Sequence, residues 1–429
     1  MSVKVFKSIY NEARCYIPER LLYAKEYFSI KSILASHNKI QISALVEAQL
    51  KHVLLVCLRD VNFYKNNVAI SLADIEHNDP FVMLKSFPII SKSDLITHKN
   101  DFLNRQYRKS FLSKSSSSGS SGFGVEVYRN KKSADIEKAF FSHHWGKFGF
   151  NVESSRTIRI GQDALRASSQ RPTFRQGSRL MLSPTHISEN NIDEIAMSIL
   201  KFKPDFIHGY PSCIYQLACL LDSINVKIKV KAVLLASEPV FNSQLKMMKD
   251  VFIGEISANY GLSERTNLAF STYKENEGMS YIFDELYSVN EFIDDELGTQ
   301  IIGTSLWNEV MPLIRYQTQD YVKITSDNKI RIDGRQQHYL IAKDGSKIPS
   351  LIVDDVPWQY ISQIQIKQPK SGCIILYVVL KIDVHIDDAI EFITNRQKAI
   401  WGEWFDVEIV VKEKLERTQA GKINLVIFD

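Results

Sequence analysis

Apolar residues in the first part of the chain recur with helical spacing. The pattern covers residues 8–65, and within residues 43–60 apolar side chains return at intervals of three, four and five positions. These side chains are Leu45, Leu50, Val53, Leu54 and Leu58. Pro88 interrupts the helical region, and Ser91 followed by Asp94 is typical of the start of another short helix. We therefore predict that the N-terminal part is built from helices.

From about residue 115 the pattern changes to short strand-like runs that alternate with helical segments. It predicts strands at residues 125–128, 157–160 and 231–236, and helices at residues 134–150, 211–223 and 242–251. Pro211 opens its segment, which is the helical position that proline favours. Strands that alternate with helices predict an α/β fold whose sheet has crossover connections.

The C-terminal part has a compact pattern of its own. It predicts a strand at residues 373–382, a helix at residues 385–400 and a strand at residues 405–411. No internal repeat is visible in the sequence. We therefore predict two globular units, a large one over residues 1–334 and a small one over residues 335–429.

Composition narrows the class of protein. Of the 429 residues, 45% are apolar and 24% are charged, a balance typical of a globular chain. The five cysteines include no CxxC pair, which argues against a structural zinc site and a disulfide framework. The net charge of +4 comes from scattered basic residues, so we expect no nucleic-acid groove.

Two further observations concern location. The longest apolar runs are too short to cross a bilayer, and the first twenty residues lack the apolar region of a secretory signal. We therefore expect a cytoplasmic protein that is not transmembrane and keeps its thiols reduced.

Residues 115–124 form the most unusual segment, because serine and glycine run together there. A flexible linker has this composition, but the segment is internal and a strand-like run follows it at once. A turn of small residues leaves backbone N–H groups open to phosphate oxygens. The segment is not a P-loop, because the GxxxxGK[ST] spacing is missing. Composition alone leaves the linker and the phosphate-binding turn both open.

Three more motifs follow in order, each weak by itself. They are Tyr260-Gly261-Leu262-Ser263-Glu264, the run Pro-Leu-Ile-Arg-Tyr-Gln-Thr-Gln-Asp that ends at Asp320, and the run Glu-Arg-Thr-Gln-Ala-Gly-Lys that ends at Lys422. Together with the serine–glycine segment, they resemble the adenylate-forming (acyl-activating) superfamily. Within it, the sequence resembles the phenylacetate–CoA ligase-like branch and its CapK-like relatives in capsular polysaccharide biosynthesis. Residues 87–94, 236–239, 302–306 and 334–335 also resemble segments of that branch.

The resemblance implies a fold and a reaction. The fold would be a large N-terminal adenylation domain with mixed and parallel sheets, followed by a small mobile α+β lid domain. The reaction would join a carboxylic acid to ATP with Mg²⁺, release pyrophosphate and give an acyl-adenylate. The acyl group would then pass to CoA or to an amine, a sugar amine being one form of that acceptor.

The resemblance also implies roles for named residues. The β- and γ-phosphates would lie on Ser117, Ser118, Gly119, Ser120, Ser121 and Gly122. The nucleotide would further contact Ser237, Glu238, Pro239, Asn259, Tyr260, Gly261, Leu262, Ser263, Asp320 and Arg335. Glu264 would hold Mg²⁺, Asp320 would accept the ribose hydroxyls, and Lys422 would reach the carboxylate and the α-phosphate. The acid would lie near His144, Trp145, Gly209, Tyr210 and Pro211.

Plainer interpretations stay open for several of these residues. Glu264 could be a carboxylate at a helix start, Arg335 an interdomain ion pair, and Trp145 part of the core. Glutamines depart from the superfamily pattern at Gln319, in place of glycine, and at Gln336 and Gln337, in place of the hinge carboxylate. The alternative function is therefore a non-catalytic descendant that binds a nucleotide or a partner.

Overall fold

The computed structural model describes residues 9–116, 125–325, 329–335 and 339–427, with the backbone alone at Ser116 and Arg335. The main α-helices are α1 (Glu19–Leu22), α2 (Lys25–Ser36), α3 (Lys39–Asp60), α4 (Asn62–Asn67), α5 (Leu72–His77), α6 (Pro80–Leu84), α7 (Lys92–Thr97), α8 (Lys131–His144), α9 (Ile192–Phe202), α10 (Pro211–Ser223), α11 (Asn242–Val251) and α12 (Ile386–Trp401).

The strands fall into two groups along the chain. The first group is β1 (Ser113–Ser116), β2 (Glu126–Arg129), β3 (Thr157–Ile160), β4 (Thr173–Gln176), β5 (Arg179–Leu182), β6 (Phe206–Gly209), β7 (Ile228–Ala236), β8 (Phe252–Gly261), β9 (Leu268–Thr272) and β10 (Ile282–Phe283). The second group is β11 (Ser288–Asp295), β12 (Gly298–Ser305), β13 (Tyr316–Ile324), β14 (Ile330–Arg335), β15 (Tyr339–Ile341), β16 (Lys347–Pro349), β17 (Ile361–Lys370), β18 (Cys373–Leu380), β19 (Asp406–Val411) and β20 (Val426–Ile427).

The centre of the molecule is an eight-stranded sheet in the order β10-β9-β8-β7-β6-β3-β5-β4. Its five central strands, from β8 to β5, are parallel, and the outer strands β9, β10 and β4 pair antiparallel. Helices α10 and α11 connect successive parallel strands, as crossover connections require. The α/β fold class predicted from the alternating pattern is confirmed.

Helices cover both faces of this sheet, because successive side chains of a buried parallel strand point to opposite sides. Ile207 and Val233 belong to one buried cluster, which includes side chains of α9, α10 and α11. Phe206 and Ala232, one position away on the same strands, belong to a second cluster with α3 and α8. The continuous apolar run that predicted β7 therefore fills two cores at once.

The N-terminal helices pack into the second cluster. Helix α3 is the one helix among the described residues that is long and apolar enough to cross a membrane, with a mean hydropathy of 1.4 over its most apolar window. This corrects the expectation that no apolar stretch reaches that length. Leu50, Val53 and Leu54 of α3 are fully buried in the protein core, and 33% of that window is buried in total.

One helix is shorter than predicted. The pattern over residues 134–150 predicted a single helix, but α8 ends at His144 and a 3-10 turn follows at Gly146–Phe148. Gly149 has a φ of +80°, a left-handed conformation in which a helix stops. Gly149 therefore ends the 3-10 turn that follows α8, although the apolar periodicity continues to residue 150.

A second sheet carries the Asp320 motif. It is antiparallel, in the order β11-β12-β13-β14, and Asp320 lies inside β13 opposite Arg335 of β14. Gln319 has a φ of +61°, so it adopts the left-handed backbone that glycine favours. Gln319 therefore stands in the place of glycine inside β13, where the pairing with β12 is irregular, at a conformational cost to the chain.

Replacing Gln319 with glycine is expected to raise the free energy of unfolding by about 0.5–1 kcal/mol, because glycine removes the steric strain of a positive φ. The matched control is Gln317→Gly, two residues earlier in β13, where glycine should destabilise the strand by a similar amount. Urea denaturation of the two variants measures both effects. If the urea midpoint of Gln319→Gly is lower than that of the unchanged protein, the backbone at Gln319 is not strained.

The C-terminal part forms a four-stranded sheet, β19-β18-β17-β20, with α12 packed on it. It lies against α10 and α11 of the preceding part. The hydroxyl of Tyr215 donates to the carbonyls of Trp358 and Ile361, each at 2.9 Å, and Asp354 accepts from the first backbone N–H groups of α11. The prediction of a small C-terminal unit with one helix on a sheet therefore matches the architecture, while the exact division at residue 334 stays a prediction.

Candidate active site

The ends of three parallel strands form the edge at which the candidate residues meet. In register, Gly209 of β6 lies opposite Leu235 of β7, and Ala236 of β7 lies opposite Asn259 of β8. The segments that begin at Tyr210 and Ser237 therefore leave the sheet at the edge where Tyr260 lies, near the end of β8. Ligands of open parallel sheets bind at the carboxyl ends of the strands, so this edge is the expected place for a site.

Glu238 lies just beyond β7 and is held by the start of α10. Its Oε2 accepts from the backbone N–H of Ser212 at 3.1 Å and from the Ser212 hydroxyl at 2.7 Å. Burial raises the pKa of Glu238, while the Ser212 hydrogen bonds and the charge of Lys422 oppose that rise. Its other oxygen, Oε1, is buried and has no hydrogen-bond partner among the described residues. Ser237, at a φ of +72°, and Pro239 are exposed beside it.

Tyr260 and Asp320 come together from two different sheets. The Tyr260 hydroxyl donates to Asp320 Oδ2 at 2.7 Å, and the Asp320 side chain is 3% exposed. The Thr318 hydroxyl accepts from the Asp320 backbone N–H at 3.0 Å and thereby fixes the strand at this point. Arg335 lies opposite Asp320 in the strand register, but its side chain is outside the described part of the chain.

Glu264 lies in the turn between β8 and β9, where no helix begins, so the interpretation as a carboxylate at a helix start is wrong. Its side chain is 6% exposed, and its Oε1 accepts from the Tyr316 hydroxyl at 3.2 Å. Leu262 is buried beneath the turn, and Ser263 accepts from the Ser115 hydroxyl at 3.4 Å. The phosphate-binding prediction for Ser117 to Gly122 itself lies outside the described residues.

A buried ionic network holds the Glu264 turn from below. Arg265 has a φ of +63°, and its guanidinium pairs with Glu137 of α8, which also pairs with Arg129 at the end of β2. Burial alone would raise the pKa of Glu137, but the charges of Arg265 and Arg129 hold it below its ordinary value. The network therefore links the turn to the strand that follows the serine–glycine segment.

Could this turn hold a magnesium ion? Among the described residues, no group of three or more His, Cys, Asp or Glu side chains could form an all-protein metal site. Mg²⁺ in phosphate-transferring sites is bound by one or two carboxylates together with substrate phosphates and waters. A single carboxylate at the strand edge fits that donor set, and Glu264 is such a carboxylate.

Lys422 reaches the strand edge from the C-terminal part of the chain. It follows Gly421 in a short hairpin that is closed by a bridge between Arg417 and Ile423. The Lys422 ammonium donates to the Ser237 carbonyl at 2.9 Å and lies 5.1 Å from the centre of the Tyr210 ring. The structure therefore brings Lys422 beside the turn that carries Glu238, although 184 residues separate them in sequence.

The five residues assigned to the acid differ in their surroundings. His144 bonds to Asp284 at 2.7 Å and stacks on Phe270 with ring centres 4.0 Å apart. Trp145 is 1% exposed and donates to the Ser257 hydroxyl at 3.2 Å, so its surroundings favour packing over lining a pocket.

Gly209, Tyr210 and Pro211 form the turn from β6 into α10. A Cβ at Gly209 would lie 2.3 Å from the Ile160 carbonyl oxygen, which explains glycine there by strand packing. The Tyr210 hydroxyl accepts from the Gln162 backbone at 3.0 Å and donates to the Ala420 carbonyl at 3.3 Å. Pro211 begins α10 as predicted. Tyr210 is thus the member of this group that touches the Lys422 hairpin.

Three residues at the site were not assigned roles from the sequence. Ser212 binds Glu238, Tyr316 binds Glu264, and Asp284 binds His144. Ser212 follows Pro211, which was assigned to the acid, and Tyr316 belongs to the motif that ends at Asp320, so each had a usable signal in the sequence. Asp284 is 140 residues from His144 and stands in no motif, so only the folded structure reveals it.

Known proteins resemble this chain in sequence and in fold. No family model matches the chain. Protein CapK of Staphylococcus aureus is 20% identical over 365 residues, which cover 80% of this chain and 80% of CapK. A crystal structure of 2-hydroxyisobutyryl-CoA ligase in the postadenylation state, in complex with R3-HIB-AMP, has a TM-score of 0.65 at 14% identity and covers 90% of this chain and 89% of that chain. The chain has the fold of the adenylate-forming enzymes.

The same ligase in its thioesterification state, with 2-HIB-AMP and CoA, has a TM-score of 0.52 at 14% identity and covers 91% of this chain and 90% of that chain. Both states of that ligase therefore share their fold with this chain.

Proposed function

We propose that this protein is an AMP-forming carboxylate ligase that joins a carboxylic acid to ATP and releases pyrophosphate. The observation that carries the proposal is the position of Lys422, whose ammonium lies 2.9 Å from the Ser237 carbonyl at the ends of the parallel strands. A compact cation there can contact a carboxylate and an α-phosphate together. Catalysis of this kind aligns two anions and stabilises the charge that develops on the phosphates.

Side chains that suit a nucleoside surround this position. Asp320 is buried and offers two acceptor oxygens to the ribose hydroxyls, with Tyr260 held beside it. Two buried acceptors at the same edge, Glu238 Oε1 and Asn259 Oδ1, have no hydrogen-bond partner among the described residues. Buried acceptors without partners are costly, so a ligand that donates, such as the adenine amino group, would stabilise this arrangement.

The phosphates would extend from the ribose toward the Glu264 turn and the serine–glycine segment. Glu264 is the residue that would hold Mg²⁺, which would neutralise charge on the phosphate oxygens. Ser117 to Gly122 would supply N–H groups and hydroxyls, and Arg335 would lie near the ribose or the phosphates. Gly261 and Ser263 line the intervening turn. We propose these roles because the sequence resembles the adenylate-forming superfamily.

CoA is the proposed acceptor of the acyl group, because the ligase with the similar fold acts with CoA. Transfer to an amine, including a sugar amine, is the second product class, in keeping with the sequence resemblance to enzymes of capsular polysaccharide biosynthesis. The acid would approach from the side of His144 and Tyr210. We further propose that the protein acts in the cytoplasm, on small molecules and without nucleic acid.

A screen of carboxylic acids tests the proposal. Each acid is incubated with the protein, ATP and Mg²⁺, with CoA, with an amine or with neither, and pyrophosphate, AMP and acyl products are measured by mass spectrometry. We expect one class of acid to give AMP and pyrophosphate in equal amounts. A thioester would identify CoA as the acceptor, whereas an amide formed without CoA would identify an amine. If no acid yields AMP while ATP still binds, the non-catalytic descendant is the correct interpretation.

A further inference from the structure

The hairpin that carries Lys422 is attached to α10 by one guanidinium group. Arg417 Nη2 donates to the side-chain oxygen of Gln216 at 2.8 Å, and Arg417 Nη1 lies 3.2 Å from the Cys213 sulfur. Gln216 and Cys213 are both buried, at 8% and 0% exposed. Arg417 therefore connects the C-terminal part to a helix of the adenylation part, one turn from the Ser212–Glu238 contact.

The same guanidinium also fixes the inside of the hairpin. Nη1 donates to the Gly421 carbonyl at 2.9 Å, which is the peptide group that leads directly into Lys422. Arg417 thus holds the residue before Lys422 and the surface of α10 with one planar group, a geometry that a forked guanidinium can satisfy and an ammonium cannot.

Both side chains that contact Arg417 can accept hydrogen bonds from its guanidinium. The Gln216 amide donates to the Ile187 carbonyl at 2.8 Å, so its oxygen is turned toward Arg417. Burial raises the pKa of Cys213, which keeps the thiol neutral, and the charge of Arg417 acts in the opposite direction. A neutral sulfur and an amide oxygen accept N–H groups without forming an ion pair.

The hairpin tip fits closely against the adenylation part. Gly421 has a φ of +80°, and a Cβ there would lie 3.0 Å from Leu165 and 3.1 Å from Pro184. The Ala420 carbonyl accepts from Tyr210 at 3.3 Å. The tip therefore fits against the segments around Leu165, Pro184 and Tyr210, while the hydrogen bonds from the hairpin to the described residues of α10 come from Arg417.

We propose that Arg417 is a positioning residue for adenylation. Its guanidinium binds the hairpin to Gln216 and Cys213 and so holds Lys422 at the strand edge. The proposal rests on the proposed ligase function. Because the contact joins two parts of the chain in this one arrangement, Arg417 should matter for acyl-adenylate formation and not for acyl transfer in a different arrangement.

The first test needs no substrate. Hydrogen exchange of the full chain is followed by mass spectrometry in peptides covering residues 416–423. Arg417→Ala should raise exchange there at least about tenfold, since a charge-assisted contact is lost, and leave the β17–β18 hairpin unchanged. The matched control is Arg396→Ala, an exposed arginine of α12, which should leave residues 416–423 as they are. If hydrogen exchange in residues 416–423 is unchanged in Arg417→Ala, Arg417 does not hold the hairpin in place, whatever reaction the protein catalyses.

The second test uses an acid identified by the screen. Arg417→Ala should lower kcat for ATP–pyrophosphate exchange by about tenfold to a hundredfold, with KM for ATP almost unchanged. Arg417→Lys should recover only part of that loss, and Gln216→Ala should reproduce part of it. Thioester formation from preformed acyl-adenylate and CoA should stay within about twofold. Equal losses in both half-reactions would overturn the positioning role. If the unchanged protein is inactive with every acid, the ligase function is refuted, and the hydrogen-exchange test alone decides whether Arg417 holds the hairpin in place.

Discussion

Replacing Lys422 with alanine is expected to slow ATP–pyrophosphate exchange by roughly 10²–10³-fold. Lys422 lies at the strand edge beside Ser237, while the groups that suit the nucleoside, Tyr260 and Asp320, belong to other elements. Removing the ammonium should therefore remove charge stabilisation in the transition state and leave ATP binding within a few-fold of that of the unchanged protein. Exchange kinetics with an acid from the screen, and equilibrium binding of ATP, measure the two quantities separately.

The matched control for this variant is Lys370→Ala, which removes an exposed ammonium from the last residue of β17. It should leave exchange unchanged. Exchange by Lys422→Ala within tenfold of the unchanged protein would refute the role of Lys422. An equally large loss in ATP affinity would mean instead that Lys422 serves to bind the nucleotide.

Asp320→Asn is expected to weaken ATP binding about a hundredfold, because charge-assisted hydrogen bonds to the ribose hydroxyls contribute about 1.5–3 kcal/mol each. The amide keeps the size of the side chain and leaves one oxygen to accept from Tyr260. Titration with ATP and with 2′,3′-dideoxy-ATP identifies the contact. The unchanged protein should discriminate strongly between them, and the variant should hardly discriminate at all.

Two variants separate this effect from a general disturbance of the sheet. Asp333→Asn removes a carboxylate of β14 that pairs with Lys323 at 2.9 Å, and ATP affinity should not change. Tyr260→Phe keeps the ring and removes the hydroxyl that bonds to Asp320. If Asp320→Asn still distinguishes the two nucleotides as the unchanged protein does, the ribose lies elsewhere.

The sequence predicts the parts of the fold that depend on local pattern. Strand β3 and helices α10 and α11 have the predicted bounds, because strong apolar periodicity coincides with local boundary signals such as Pro211. The prediction fails at residues 145–150, where a 3-10 turn replaces α8 and Gly149 ends that turn at a positive φ, although the apolar spacing continues. Local backbone preference outweighs periodicity there.

The candidate site is predictable only in part. The motifs identify Tyr260, Asp320 and Lys422, but their meeting depends on strand register and on contacts between residues far apart in sequence. Gln319 shows the same limit, because the sequence marks it only as a departure from glycine, whereas the structure shows it inside β13 with a positive φ. The Arg417–Gln216 contact spans 201 residues, so no local pattern predicts it.

The central claim is that a carboxylate oxygen attacks the α-phosphorus of ATP at the edge marked by Lys422. The most direct measurement uses an active acid labelled with ¹⁸O in its carboxylate, followed by mass spectrometry of the nucleotide after acyl transfer. Attack at the α-phosphorus forms a new bond from the labelled oxygen to phosphorus, and cleavage of the acyl–oxygen bond then leaves that oxygen in AMP. We predict labelled AMP and unlabelled pyrophosphate. Unlabelled AMP, or label released in inorganic phosphate with ADP, would contradict the account.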